Sequence, residues 1–133
     1  MAVLRKEVTK YQKQKMSIAK GDALLQRLSA AMDEERYYLD AKIKLPQLAT
    51  ILEVSPHEIS QVINDRLGVS FNHYINDYRV KAACEMLEHA DHLTVEGIGR
   101  EVGFNSRSAF YAAFKQQMAQ TPAQYKAQLN ATA

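Results

Sequence analysis

Two short segments set hydrogen-bonding side chains on one side of a helical pattern and apolar side chains on the other. They are "SPHEISQVINDRLG", from Ser55 to Gly68, and "GFNSRSAFYAAFK", from Gly103 to Lys115. At about 100° per residue, Ile59, Val62 and Ile63 share one side of the first, and His57, Ser60, Gln61 and Asn64 lie together opposite. In the second, Phe110, Ala113 and Phe114 point one way and Ser108, Tyr111, Ala112 and Lys115 the other, with Ser106 and Arg107 at the start. The chemistry these outward groups can do is hydrogen bonding. Gln and Asn match the edge of adenine, and Arg matches the O6/N7 edge of guanine. Ser and Lys suit phosphate or either base, and Tyr can stack on sugar or touch a thymine methyl. Glu58 is the only carboxylate in the first turn of either segment, so both faces accept a polyanion.

Other chemistries find less support. His89, Asp91 and His92 form an H-x-x-H group, but it falls at a helix end without a third ligand at workable spacing, and reads as a polar cap. There is no G-x-S-x-G, no phosphate-binding glycine loop and no paired-carboxylate site, so neither catalytic residues nor a metal or cofactor are assigned. Cys84 is the single cysteine, sits in a helical pattern, and reads as a small buried hydrophobe. Asn130 opens a glycosylation triplet, to which no role is assigned.

The elements that must position the two faces are helices. With three prolines and five glycines in 133 residues, and abundant Ala, Leu, Gln, Glu and Lys, the composition predicts an all-α protein of one domain or two small lobes. Residues 22–36 place Leu24, Leu25, Leu28, Ala31 and Met32 at three and four spacing, with Asp22 as N-cap; "YYLDAKI" then reads as a loop. From Leu45, Leu48, Ala49 and Leu52 line one side of a short helix ending before Val54. The next helix is announced by Ser55 as cap, Pro56, Glu58 three after the cap, and Gly68 as stop. A long helix follows over 70–90, capped by Ser70, with Phe71, Tyr74, Ile75, Tyr78, Ala82, Met86 and Leu87 as one apolar stripe. A short helix capped by Thr94, the turn "GFNS", the second polar-faced helix and a last helix from Pro122 complete the chain.

These pieces repeat. Leu48, Ala49, Leu52 and Val54 match Ile98, Gly99, Val102 and Phe104 at an offset of 50, and Ile59 and Ile63 match Phe110 and Phe114 at 51. Each copy is a short helix, a tight turn and a second helix, which is the helix-turn-helix arrangement. The predicted order is a basic arm (1–21), an amphipathic helix and loop leading in (22–44), and a unit over 45–133. Within that unit lie a first helix-turn-helix (45–68), the linker helix (70–90), a second helix-turn-helix (94–118) and a C-terminal helix (122–130). A helix-turn-helix presents its second helix to the major groove of duplex DNA. A helical module that docks RNA polymerase or a regulatory partner is the alternative use of the same faces.

Charge adds one asymmetry. The net charge is only +2, but residues 1–20 hold six basic groups, Arg5, Lys6, Lys10, Lys13, Lys15 and Lys20, against Glu7 alone. That arm can be solvated, follow DNA phosphates, or lie on an anionic membrane surface. No run approaches the length of a membrane-spanning helix, and the single cysteine fits a reducing compartment, which predicts a cytoplasmic chain.

The run "SFNHYINDYRVKAACEML", followed by "LTVEGIGREVGFNSRSAFYAAFK" and "TPAQYK", resembles the AraC/XylS family of bacterial transcription regulators over roughly residues 45–127. The signals are Arg79, Ala82, Leu87, Ile98, Gly103, Phe104, Ser108, Phe110, Phe114, Lys115, Thr121, Pro122 and Tyr125. The resemblance implies two helix-turn-helix subdomains on one linker helix, with DNA contacts at His57, Ser60 and Gln61, and at Ser106, Arg107, Ser108 and Tyr111. The chain departs from the family pattern at Gly97, Gly99, Ala112 and the Met118–Ala119 pair, which predicts a looser second subdomain. "KYQKQKMS" and "YYLD" resemble a subgroup whose DNA-binding part follows a sensory, often membrane-spanning, region. On that resemblance the chain is a C-terminal portion of a regulator tethered to the inner membrane, with RNA polymerase as a further partner.

Overall fold

The computed structural model describes residues 16–132. Among them are seven α-helices and no strand: α1 (Ile18–Ala30), α2 (Leu45–Leu52), α3 (Pro56–Leu67), α4 (Phe71–His89), α5 (Val95–Glu101), α6 (Arg107–Met118) and α7 (Pro122–Thr132). The fold is all-α, two helix-turn-helix units (α2–α3 and α5–α6) on one long helix, α4. The basic groups Arg5, Lys6, Lys10, Lys13 and Lys15 lie outside the described residues.

The lead-in differs from its sequence reading. Helix α1 starts at Ile18, where Ser17 is extended (φ −60°, ψ 153°) and its hydroxyl accepts from the Lys20 amide at 3.2 Å. Asp22 is therefore inside the helix and caps nothing; its carboxylate pairs with Arg66 of α3. Serine caps as well as aspartate, and the earlier start buries the Leu24–Leu28 face over a longer helix. Past Ala30 the backbone widens into a π-helical turn (Ala31–Glu35), turns left-handed at Arg36 (φ 55°), and forms a 3-10 turn at Tyr37–Leu39 where a loop was expected. An aromatic explains the order: Tyr38 is buried and stacks on Tyr78 at 5.6 Å between ring centroids.

Two cores result. Leu24, Leu28 and Met32 meet Leu48, Leu52, Ile59, Ile63, Tyr74 and Ile75 in the first, so the lead-in helix is packed into the same core as the α2–α3 unit. Val80, Ala83 and Leu87 meet Ile98, Val102, Phe104, Phe110 and Phe114 in the second. Helix α4 serves both, and its buried face changes on the way. At about 100° per residue, Tyr74 and Ile75 point roughly 150° away from the mean direction of Val80, Ala83 and Leu87. The single stripe read from the sequence is thus two half-stripes: Phe71, Tyr78 and Ala82 lie partly buried on the first, while Val80 and Ala83, absent from that stripe, are buried on the second.

The duplication is visible in the backbone. The Val54 amide donates to the Ala49 carbonyl and the Phe104 amide to the Gly99 carbonyl, both at 3.0 Å. Glu53 donates to Thr50 at 3.2 Å and Gly103 to Arg100 at 3.1 Å. Glu53 (φ 57°) and Gly103 (φ 107°) supply the left-handed residue of each turn. Gly103 must be glycine for a second reason: a Cβ there would collide with the Tyr38 carbonyl oxygen.

Arg79 fills that junction. Its Nε donates to the Tyr38 carbonyl at 2.7 Å, Nη2 to the Asp40 carbonyl at 3.2 Å and Nη1 to Asn76 Oδ1 at 3.3 Å. The guanidinium carbon lies 5.7 Å from the centre of the Phe104 ring. Asn105 adds a bond from Nδ2 to the Ala41 carbonyl at 3.2 Å. One buried cation thereby ties the long helix, the 38–41 segment and the turn of the second unit together.

Replacing Arg79 by Met keeps the stem and removes these donors from Tyr38 and Asp40. Urea unfolding is expected to show a loss of about 3 kcal/mol. The opposite change is expected at the end of α6, where Ala119 is left-handed (φ 59°). There Ala119→Gly should raise the urea midpoint by about 1 kcal/mol of stability with an unchanged slope.

Candidate nucleic-acid interface

Helix α3 begins as its sequence dictates. The Ser55 hydroxyl accepts from the Glu58 amide at 3.1 Å, and the Glu58 carboxylate accepts from the Ser55 amide at 3.3 Å. Ile59, Val62 and Ile63 are buried, which leaves His57 and Asn64 exposed and Ser60 and Gln61 half-buried on the outer surface. The one carboxylate in the first turn of α3 is neutralised from α1: Lys20 Nζ lies 3.1 Å from Glu58 Oε2. Lys20 and the Ser55 amide hold the Glu58 carboxyl below its ordinary value. Lys20 was read as part of the basic arm; it belongs to α1.

Helix α6 is capped by Ser106 (φ −150°), whose hydroxyl accepts from the Ala109 amide at 3.1 Å. Phe110 and Phe114 are buried, Ala113 is half-buried, and Arg107, Ser108, Ala112 and Lys115 are exposed. Tyr111 is half-buried, set edge-on to Phe110 at 5.9 Å, and its ring carries the Arg107 guanidinium at 4.5 Å. Arg107 Nε also donates to Glu96 Oε1 of α5 at 3.3 Å. Tyr111 first, and Glu96 behind it, raise the proton affinity of that guanidinium. Sequence reasoning missed Glu96 because it belongs to the preceding helix.

At Gly99 the second unit is not loosened in the way the missing side chain predicts. A Cβ at Gly99 would collide with the Phe110 ring, so the missing methyl is the space that the ring occupies. Phe104 packs on Phe110 at 5.2 Å, Phe110 on Phe114 at 5.9 Å, and Phe114 on Tyr125 at 5.6 Å. Tyr125 closes the stack by donating to Glu88 at 2.8 Å, a bond that pushes its own pKa up to about 12. Cys84 is half-buried beside this core, where burial pushes its thiol up, away from reactivity. His89 is exposed, 3.8 Å from the Glu88 carboxylate, and no cluster able to hold a metal ion occurs among the described residues.

A family model described as a helix-turn-helix domain matches residues 48–128. The C-terminal domain of AraT, a response regulator from Geobacillus stearothermophilus, superposes with a TM-score of 0.62 at 31% identity, covering 70% of this chain and 76% of that one. The chain belongs to the AraC-type helix-turn-helix family. An AraC-type DNA-binding domain protein from Chromobacterium violaceum shares the fold (TM-score 0.68, 19% identity, 81% of this chain and 96% of that one). The regulatory protein PocR of Salmonella typhimurium is 32% identical over 97 residues, and this chain spans 32% of its length. AraC-type domains are DNA-binding parts of transcription regulators, and this chain is one of them. In this AraC-type domain no helix among the described residues is long and apolar enough to cross a membrane.

The Lys20–Glu58 pair makes one pH-dependent contribution. Because the folded-state carboxyl is held low, its stabilisation is fully present above the ordinary value of 4.5 and is lost as pH falls below it. Unfolding from about pH 6 to about pH 3 should therefore show a shallower acid decline in Lys20→Met than in the parent protein.

Proposed function

We propose that α3 and α6 read the base edges of two successive major-groove segments of one duplex, about 34 Å apart, and that a single copy of the chain binds an asymmetric site. The observation that carries this reading is the pair of serine-capped helices, each with its polar face uncovered, on one long helix clamped by Arg79. His57, Ser60, Gln61 and Asn64 are the contacts of α3; Ser106, Arg107, Ser108, Tyr111 and Lys115 are those of α6. Gln61 reads adenine, Arg107 guanine, and Lys115 phosphate. The reading unit includes α1, because its Leu24–Leu28 face is in the first core. In the parent protein this unit is the cytoplasmic output of a sensory region, with RNA polymerase as its second partner. The basic arm before Met16 lies on phosphate or on an anionic membrane surface.

Selection of bound sites from random duplexes tests the reading. The expected consensus is two unlike segments one helical turn apart, with affinity falling steeply as salt rises. A perfect palindrome, or a shallow salt dependence typical of a protein-docking surface, would overturn it. On the selected site, Gln61→Ala or Arg107→Ala should cost about 1–3 kcal/mol and relax one or two base pairs, while Lys115→Ala should weaken all duplexes alike.

A further inference from the structure

Arg107 does not stand free in front of α6. Glu96 holds its Nε at 3.3 Å and the Tyr111 ring lies under its guanidinium at 4.5 Å, so two different elements fix the group from its edge and from its face. The Arg107 side chain is 67% exposed and that of Glu96 46%, and an ion pair so open to water contributes little to stability. Its effect is on the side chain's freedom. An unrestrained arginine samples many rotamers and meets any phosphate within reach. A guanidinium held at Nε and stacked on a ring keeps its terminal Nη groups in one place.

The geometry points to Glu96 as a specificity-determining positioning residue and to a second, positioning role for the DNA contact Tyr111: together they aim Arg107 at a base edge and keep it from acting as a general phosphate contact. Glu96 adds a second effect through its charge. A carboxylate at the DNA-facing start of the second unit repels phosphate on every sequence alike, and only a base that engages the aimed Arg107 offsets that cost. Glu96 thus lowers affinity for random DNA and raises discrimination. The first copy has no such device, because the positions matching Glu96 and Arg107 at offsets of 50 and 51 are Pro46 and Pro56. The only acid in the first turn of α3, Glu58, is instead neutralised by Lys20. The two reading helices therefore discriminate by different means, the first by neutral amides and the second by an aimed cation.

This inference rests on the reading of Arg107 as a base contact, and the experiment separates the two. Wild-type chain, Glu96→Gln, Tyr111→Leu, Arg107→Ala and the Glu96→Gln/Arg107→Ala double variant are compared, with folding checked by circular dichroism. The probes are the selected duplex, its four versions at the base pair whose preference Arg107→Ala loses, and a random duplex. Glu96→Gln is expected to reduce preference at that pair several-fold, to bind random duplex as tightly as wild type or tighter, and to leave preferences at the α3 segment unchanged. Tyr111→Leu should relax the same pair, and Glu96→Gln should change no preference once Arg107 is gone. Full discrimination retained in Glu96→Gln, or an equal loss on every duplex, overturns the positioning role while the reading of Arg107 stands. An Arg107→Ala protein that keeps every base preference overturns both.

Discussion

A buried cation held by backbone carbonyls organises this molecule. Taking a guanidinium out of water is tolerable only when its donors find acceptors of fixed geometry, and Arg79 finds them in the Tyr38 and Asp40 carbonyls and in Asn76. Burial lowers its proton affinity, and it remains charged because an arginine starts so high. Those acceptors lie on the 3-10 turn and on α4 itself, and the Phe104 ring and Gly103 wall the group from the second unit. A relative shift of the second unit would pull the Phe104 ring off this guanidinium and Asn105 off the Ala41 carbonyl, so the junction favours one arrangement of the two halves. A hydrophobic contact in the same place would permit sliding.

That constraint gives the duplicated units their use. Each is a short helix, a tight turn with one left-handed residue, and a serine-capped second helix, and neither alone fixes where the other stands. Helix α4 sets the distance, and its change of buried face sets the two units on nearly opposite sides of one rod. The copies have diverged on their outward faces: neutral amides on α3, with its first-turn acid covered by Lys20, and an arginine braced by Glu96 and Tyr111 on α6. An AraC-type domain built this way has two unlike polar faces on one long helix.

Much of this is legible in the residues, for reasons that are local. The caps at Ser55, Ser70 and Thr94, the stop at Gly68 and the inward faces of α3 and α6 follow from short-range spacing, which the chain cannot evade without orphaning amides or apolar groups. The start of α1 is less determined, because Ser17 and Asp22 are equivalent caps and only the packing of Leu24 and Leu28 decides between them. The turning face of α4 is hidden by averaging: two half-stripes on nearly opposite sides look like one blurred stripe. The glycine at 99 reads as a defect until the Phe110 ring is seen in its place. Arg79 carries the family resemblance, yet its two carbonyl partners lie some forty residues earlier, and Glu96 lies on a different helix from the arginine it holds. Neither link has a periodic signature.

The central claim, that the two reading helices are held at one separation and orientation, is tested most directly by moving their targets. On the duplex selected by the chain, about five base pairs, half a helical turn, are inserted between the two segments, and affinity is compared with a duplex that carries one segment alone. The account predicts that the spread duplex binds no better than the single-segment duplex, because the clamped helices cannot follow the second segment around the axis. Undiminished affinity for the spread duplex would show that the units move independently, and would contradict it.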